Sequence, residues 1–276
     1  MSKWRPSPNC IYTIGDVHGY NDCLQSILKR ILPLREGDQI VFLGDYIDRG
    51  PDSYGVIQTL VDLTEEYGDQ ITCLMGNHEW LMLAALDLME VNTLPGVLRP
   101  SAVWMANGGL QFMDSYASKY GMKEEDRMYL TTTRLKEMVP QSHIDLLLNT
   151  FSYYETDDYL FVHGGCDPNI PIEAQTRDEV LWDRSLYEFV IKTIGTGQDF
   201  DWDNKTIVCG HNYDGPIIHP KYMMIDTSGL RKVLCVELNS MEGYYAAPGK
   251  SRLVKADLSD TRPTQLMHPK FKEYFK

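Results

Sequence analysis

Five short apolar runs of this sequence each end directly in a segment that combines glycine with carboxylate, amide or imidazole side chains. The segments are Gly15–Gly19, Gly44–Gly50, Gly76–Glu79, His163–Gly165 and Gly210–Asn212. The side chains in them that could bind a cation are Asp16, His18, Asp45, Asn77, His163 and His211. This set offers no thiolate, so it favours manganese, iron or zinc over soft copper. Six donors exceed what one metal with open positions needs, which favours two metals that share a carboxylate.

Each of these residues alone would indicate only a turn, a helix start or a histidine at a strand end. Their joint spacing changes that interpretation. The sequence places 24 residues between Gly19 and Gly44 and 25 between Gly50 and Gly76, room for one helix and one strand in each gap. Ligands of α/β sheets bind beyond the carboxyl ends of the strands, so the six side chains could converge on one edge.

Alternating strands and helices must position these segments. Apolar runs at 10–14, 40–43 and 71–75 predict three buried strands, and 3.6-residue apolar stripes after them predict helices. Pro51-Asp52-Ser53 is a good start for the second helix, and a third begins at about Glu79. This alternation predicts an α/β fold with a partly parallel sheet.

The segment from about 90 to 158 is richer in helix formers and aromatic residues, which predicts a helical insertion within a single domain of residues 1–276. Strands are predicted again at 159–162, 206–209, 222–225 and 233–238. The last two look like a closing antiparallel pair around Asp226–Gly229. From 256 onwards the tail is polar.

The composition narrows the class of protein. Hydrophobic residues make up 43% and charged residues 24% of the chain, as in ordinary globular proteins. A net charge of −13 argues against a protein that coats nucleic acid. With no long apolar span, no signal peptide and six scattered cysteines, we expect a cytoplasmic protein with buried reduced thiols and no membrane association.

Three of the motifs together resemble the phosphoprotein phosphatase branch of the calcineurin-like metallophosphoesterases. They are Gly-Asp-x-His-Gly at 15–19, Gly-Asp-x-x-Asp-Arg-Gly at 44–50 and Gly-Asn-His-Glu at 76–79, followed by two separated histidines. Further matches at Trp104–Gly109, Val180–Arg184 and Ile225–Thr227 are similar to the small bacterial and phage serine/threonine phosphatases. The resemblance implies two facing β-sheets flanked by helices.

The resemblance also implies roles for individual residues. Asp16 and His18 would hold the first metal and Asp45 would bridge both. The second metal would be completed by Asn77, His163 and His211. An acid pair would be formed by Asp48 and His78, whereas Arg49 and Arg184 would bind phosphate. Ser228 and Gly229 depart from the glycine-rich ending of the family.

The implied activity is a metal-dependent phosphomonoesterase, a serine/threonine or dual-specificity protein phosphatase that uses two divalent ions, Mn²⁺ before Fe or Zn. A hydroxide activated by both metals would attack phosphorus in line. The substrate would be a phosphorylated protein or a small phosphoester, and the oligomeric state stays open. The alternative is a symmetrical dinucleoside tetraphosphate hydrolase. That branch tends to lack the aspartate at position 48 and to end its third motif in Asp, where this chain has Glu79.

Overall fold

A computed structural model describes residues 9–90, 99–127, 129–193, 204–213 and 215–258. Its eleven strands are β1 (Ile11–Ile14), β2 (Gln39–Phe42), β3 (Ile71–Cys73), β4 (Tyr153–Glu155), β5 (Tyr159–Val162), β6 (Thr206–Cys209), β7 (Ile217–His219), β8 (Tyr222–Met224), β9 (Val233–Glu237), β10 (Glu242–Ala246) and β11 (Val254–Ala256). The α-helices are α1 (Asn21–Ile31), α2 (Ser53–Tyr67), α3 (Asn77–Ala85), α4 (Pro100–Trp104), α5 (Leu110–Lys119), α6 (Glu124–Arg127), α7 (Thr132–Met138), α8 (Gln141–Leu148), α9 (Arg177–Trp182) and α10 (Ser185–Thr193).

The strands form two mixed sheets. The first has the order β11-β10-β9-β1-β2-β3, with β1, β2 and β3 parallel. The second has the order β4-β5-β6-β8-β7, with β5, β6 and β8 parallel. Apolar side chains of both sheets, among them Val41, Leu234, Phe161 and Val208, share one buried cluster. The predicted sandwich of two sheets is therefore confirmed.

Helices cover the outer faces of this sandwich. The stripe of α1, with Leu24 and Ile27, and that of α2, with Val56 and Leu60, pack in one cluster with Ile14 and Phe42 of the first sheet. Helices α9 and α10 pack in another cluster with β5, β6 and β8. Helix α2 begins as predicted, because the Asp52 side chain accepts the backbone N–H of Gly55 at 2.8 Å and caps the first turn.

The predicted closing pair of strands is wrong. The strand at 222–224 pairs with β6 and β7 in the second sheet, whereas the strand at 233–237 pairs with β1 and β10 in the first. Between them, a short 3₁₀ turn at Ser228–Leu230 and Arg231, which has a φ of 52°, carry the chain from one sheet to the other. Apolar runs predict strands but do not encode which sheet each strand joins.

Four strands were not predicted from the sequence: β4, β7, β10 and β11. Strand β4 lies inside the range assigned to the helical insertion, where the helices end at Leu148. Residues 91–98 of that range, the N-terminal eight residues and most of the predicted polar tail lie outside the described residues. All six cysteines carry free thiols, and all except the half-buried Cys10 are buried, as expected. Within the described ranges, no helix combines the length and apolar character needed to cross a membrane.

Candidate dimetal site

The loops that follow β1, β2, β3, β5 and β6 bring the six predicted ligands together at the carboxyl ends of these strands. The side chains are deeply buried, with exposed fractions of 0 to 7%: Asp16, His18, Asp45, Asn77, His163 and His211. Strands β1–β3 belong to one sheet and β5 and β6 to the other. The site is therefore built by both sheets of the sandwich.

Asp45 lies at the centre of this arrangement. Its Oδ2 is 3.6 Å from Nε2 of His18, and its Oδ1 is 3.4 Å from Nε2 of His163. Two groups of potential ligand atoms, each within 4.8 Å of one another, share this carboxylate: His18, Asp45 and His78 form one, and Asp45, His163 and His211 form the other. One carboxylate is thus within reach of two cation positions.

The other two predicted ligands lie beside these groups. Oδ1 of Asn77 is 2.9 Å from Nε2 of His163 and 2.9 Å from Nδ1 of His211. The Asp16 carboxylate accepts the backbone N–H of His211 at 3.3 Å, and its Oδ2 is 3.9 Å from Nε2 of His18. All six predicted side chains therefore lie in one contiguous cluster.

Hydrogen bonds to backbone carbonyls orient two of the imidazoles. Nδ1 of His18 donates to the carbonyl of Ile47 at 2.9 Å, and Nδ1 of His163 donates to that of Leu43 at 2.7 Å. Each ring therefore turns its Nε2 lone pair towards Asp45. Histidines that bind metals commonly donate their other ring N–H to a carbonyl in this way.

The chemistry of the donors fits divalent cations. Nε2 of His18 is buried and has no hydrogen-bond partner in the part of the chain that the structure describes, which is costly unless a ligand satisfies it. Burial and the neighbouring His78 hold the pKa of His18 well below its ordinary value. Burial and the neighbouring His163 lower the pKa of His211 to about 3. Neutral imidazoles are the form that binds metals.

The loops at this site hold strained backbone. Of nine non-glycine residues with left-handed φ in the described ranges, five lie here: His18, Asp45, Asp48, Arg49 and His211. Such conformations cost about 1 to 3 kcal/mol each and persist only where surrounding contacts impose them. At Gly50 a Cβ would lie 2.2 Å from the His18 carbonyl oxygen, so two ligand loops approach as closely as glycine allows.

Glu79 holds the backbone of two of these loops in place. The sequence alone had indicated no role for it in the site. Its Oε2 accepts the N–H groups of Asp45 at 2.8 Å and Gly76 at 2.9 Å. Its Oε1 accepts those of Tyr46 at 2.8 Å and Ile47 at 3.2 Å. One fully buried carboxylate therefore ties the second ligand loop to the third. Only its place in the third motif could have drawn attention to it.

His78 and Asp48 form a buried pair next to the predicted metal ligands. Nδ1 of His78 is 2.6 Å from Oδ2 of Asp48, and Nε2 of His78 is 3.8 Å from Oδ2 of Asp45. Although burial by itself lowers the pKa of His78, the charges of Asp45 and Asp48 outweigh it and raise the pKa above its ordinary value. The imidazolium form is therefore more favourable than in a free histidine, which is the direction that a proton donor needs.

The two predicted phosphate-binding arginines lie at the exposed rim of the cluster. Nη2 of Arg49 is 3.0 Å from Nε2 of His78. Nε of Arg184 donates to Nε2 of His211 at 3.2 Å. The indole of Trp182 stands edge-on to His211, with ring centroids 5.8 Å apart. Guanidinium groups so placed can bind an anion above the ligand cluster.

Two further residues of the site had no assigned role. Asp226 is buried, its Oδ2 has no hydrogen-bond partner among the described residues, and after burial it is the main cause that raises the pKa of Asp16. Trp104 donates its indole N–H to Asp48. Both lie in segments that carry the resemblance to the phosphatase family, and that resemblance was the only indication of a role for them in the sequence.

Two other histidines lie outside the cluster: His143 is a core residue and His219 is half-buried at the end of β7.

Comparison with known proteins agrees with this geometry. The model of the calcineurin-like phosphoesterase family matches residues 11–232. Serine/threonine-protein phosphatase 2 of Escherichia coli is 33% identical over 104 residues, 38% of this chain and 40% of that protein. A symmetrical bis(5'-nucleosyl)-tetraphosphatase of an Acidovorax species is 36% identical over 75 residues, 27% of this chain and 25% of that protein.

The matched stretches thus span well under half of either relative. Among solved structures, a serine/threonine protein phosphatase from Saccharomyces cerevisiae superposes with a TM-score of 0.53. The two chains are 16% identical, and the match covers 93% of this chain and 82% of the other. At that identity the similarity shows a shared fold.

Proposed function

We propose that this chain, which belongs to the calcineurin-like phosphoesterase family, is a metal-dependent phosphomonoesterase that acts on phosphoserine and phosphothreonine in proteins. The observation that carries the proposal is the buried pair of His78 and Asp48, 2.6 Å apart. A serine or threonine alkoxide is a poor leaving group that needs a proton. His78 lies beside the ligand cluster without being one of the six proposed ligands, so it is free to supply that proton.

The six clustered side chains would hold two divalent ions, preferably Mn²⁺. Asp16 and His18 would hold the first ion, and Asn77, His163 and His211 the second. Asp45 would bridge them, which is supported by its carboxylate being common to both groups of potential ligands. When bound, such ions supply a hydroxide nucleophile at neutral pH and Lewis acidity for the phosphoryl oxygens.

The remaining roles fall to residues around the ligands. His78 would donate its proton to the leaving oxygen, and Asp48 would orient the ring and favour its charged form. Arg49 and Arg184 would bind the phosphoryl oxygens through charge-assisted hydrogen bonds. Both guanidinium groups reach the histidines at the rim of the cluster, which supports this placement.

A symmetrical dinucleoside tetraphosphate hydrolase is the second candidate. It is supported by the 36% identity to a symmetrical bis(5'-nucleosyl)-tetraphosphatase. The half-exposed Trp182 beside His211 could also stack on a nucleobase. A nucleotide is a better leaving group than an alkoxide and depends less on a protonating pair. The intact pair of Asp48 and His78 therefore favours the protein phosphatase.

The test compares wild-type protein with His78→Asn on three substrates after loading with Mn²⁺: a phosphoserine peptide, p-nitrophenyl phosphate and diadenosine tetraphosphate. We expect His78→Asn to lower kcat on the peptide by about 10² to 10⁴. The loss on the aryl ester should be much smaller, because its phenolate leaves without help. His219→Asn, which changes a histidine outside the cluster, is the matched control and should behave as wild type.

Equal losses on both esters would remove His78 as the proton donor. If wild-type protein hydrolyses diadenosine tetraphosphate at least about tenfold faster than the peptide, roughly 1.4 kcal/mol in barrier, the second candidate is correct. Full turnover after exhaustive chelation, with metal content checked by elemental analysis, would end the dimetal proposal.

A further inference from the structure

The side chain of Trp104 contacts the proposed acid pair at Asp48, the residue that also binds His78. Its indole N–H lies 3.1 Å from Oδ1 and 3.0 Å from Oδ2 of Asp48. Oδ2 of Asp48 is in turn 2.6 Å from Nδ1 of His78. Trp104 and Asp48 are fully buried and His78 is 1% exposed. The three side chains therefore form a continuous hydrogen-bonded chain closed to solvent.

This geometry restricts the Asp48 carboxylate. A shared N–H donor that reaches both oxygens resists rotation of the carboxylate plane, and rotation would also break the bond to His78. The indole N–H can only donate a hydrogen bond. It therefore cannot replace Asp48 as the acceptor of the Nδ1–H of His78. In a dry interior, a buried carboxylate that lost one of its partners would be strongly destabilised.

The indole itself is held by its surroundings. The ring of Phe112 meets it in a T-shaped contact with centroids 5.5 Å apart. The backbone of Gly109 packs closely against the indole: a Cβ at this position would be only 2.8 Å from Cδ2 of Trp104. Trp104 can therefore serve as a rigid support for Asp48.

The preceding glycine, Gly108, brings the same segment into contact with the loop that carries Asp48. Gly108 has a φ of 117°, and a Cβ on it would lie 2.8 Å from the backbone nitrogen of Arg49 and 3.2 Å from Cβ of Asp48. The segment Met105–Gly109, whose helical backbone is broken at Gly108, thus packs directly on the strained Asp48–Arg49 turn. Two independent contacts therefore join the helical segment to the Asp48–Arg49 turn: the indole of Trp104 contacts Asp48, and the backbone of Gly108 contacts both residues.

We infer that Trp104 is a positioning residue for the reaction: it orients Asp48, and through Asp48 the proton-donating ring of His78. The inference rests on the proposed phosphatase function. It also gives the helical segment that follows β3 and α3 a role, namely to complete the acid pair with a side chain that the metal-binding loops lack.

The test is Trp104→Phe, which keeps an aromatic ring and removes the N–H. On the phosphoserine peptide we expect kcat to fall about 10- to 100-fold, by analogy with the loss of an outer hydrogen-bond partner of a metal ligand. On p-nitrophenyl phosphate the loss should be about threefold or less, since that leaving group needs no proton. KM and the amount of bound Mn²⁺ should match wild type.

Leu135→Ala is the matched control, because it loosens the buried core of the helical segment at α7 and leaves the indole N–H and its contact with Phe112 in place. It should lower the melting temperature without changing the ratio of the two rates. In an Asp48→Asn background, Trp104→Phe should have no further effect on that ratio, since both changes break one chain. The inference would be overturned if Trp104→Phe left the ratio of the peptide rate to the aryl-ester rate unchanged, or if its effect on that ratio added to the effect of Asp48→Asn.

If Trp104→Phe does not fold, the same contact is measured in Asp48→Asn by NMR of the five ¹⁵N-labelled tryptophans. The Trp104 indole proton should then shift most and lose protection from exchange, whereas an unaffected resonance would overturn the inference. Wild-type protein without metal-dependent activity on the peptide would contradict the proposed function instead, so the two failures are distinguishable.

Discussion

Oε2 of Glu79 accepts the backbone N–H of Asp45 at 2.8 Å, so a carboxylate at the start of one helix sets the position of the residue that reaches both proposed cation positions. The same carboxylate accepts three further N–H groups, from Tyr46, Ile47 and Gly76. The geometry of the ligands therefore depends on a residue that is not itself among them.

We predict that Glu79→Gln weakens metal binding by about 10- to 100-fold, the usual cost of losing an outer partner of the ligands. In glutamine one of the two acceptor oxygens becomes an NH₂ group that faces two backbone donors. Titration of metal-free protein with Mn²⁺ measures the effect. Glu65→Gln, an exposed glutamate of α2, is the control and should titrate as wild type. Unchanged affinity in Glu79→Gln would show that the loops hold their shape without the carboxylate.

Asp45→Asn should reduce both the amount of bound metal and the rate. Oδ1 of Asp45 accepts the backbone N–H of His78 at 3.1 Å, whereas Oδ2 faces His18 at 3.6 Å. An amide keeps the first contact and loses the negative charge shared by two cation positions. Elemental analysis and kcat on p-nitrophenyl phosphate report the two effects, with the exposed Asp126→Asn as control. Wild-type stoichiometry together with a wild-type rate would exclude Asp45 as the bridge.

The two arginines should contribute mainly to substrate binding. We expect Arg49→Ala and Arg184→Ala each to lose about 1.5 to 3 kcal/mol of binding to the phosphate ester, seen as a higher KM at unchanged metal content. Because Arg49 also contacts His78, its replacement should lower kcat as well. Arg134→Ala, on the exposed face of α7, controls for the loss of a positive charge. A wild-type KM in either variant would remove that arginine from the site.

His143 should make stability depend on pH. Its Nδ1 accepts the Tyr116 hydroxyl at 2.7 Å, and its Nε2–H donates to Oε1 of Gln58 at 3.1 Å, an arrangement that suits the neutral ring. Burial lowers its pKa from 6.5 to about 4. The unfolded chain therefore binds the proton at a higher pH than the folded protein does.

The stabilising contribution of neutral His143 should be complete above pH 6.5 and be lost as the pH falls towards 4. The loss in the free energy of unfolding is on the order of 2 kcal/mol. Urea unfolding of wild type and His143→Gln at several pH values isolates it from the other titrating groups, because glutamine can make both hydrogen bonds but does not titrate. Parallel pH profiles for the two proteins would contradict the assignment.

Local sequence was sufficient for the strands that carry the site. Short apolar runs that are followed by glycine and a proposed metal ligand mark the ends of β1, β2, β3, β5 and β6, because a buried strand must be apolar and a loop that presents a ligand must turn tightly. The convergence of Asp16, Asp45, Asn77 and the histidines followed from the rule that strand ends share one edge.

Tertiary structure alone decided the contacts between distant segments. Apolar runs mark 222–224 and 233–237 as strands, but the turn between them places each strand in a different sheet. The bond from Trp104 to Asp48 joins residues 56 positions apart, and the four N–H groups on Glu79 come from two loops. Such contacts depend on the path of the whole backbone, which side-chain periodicity within one segment does not encode.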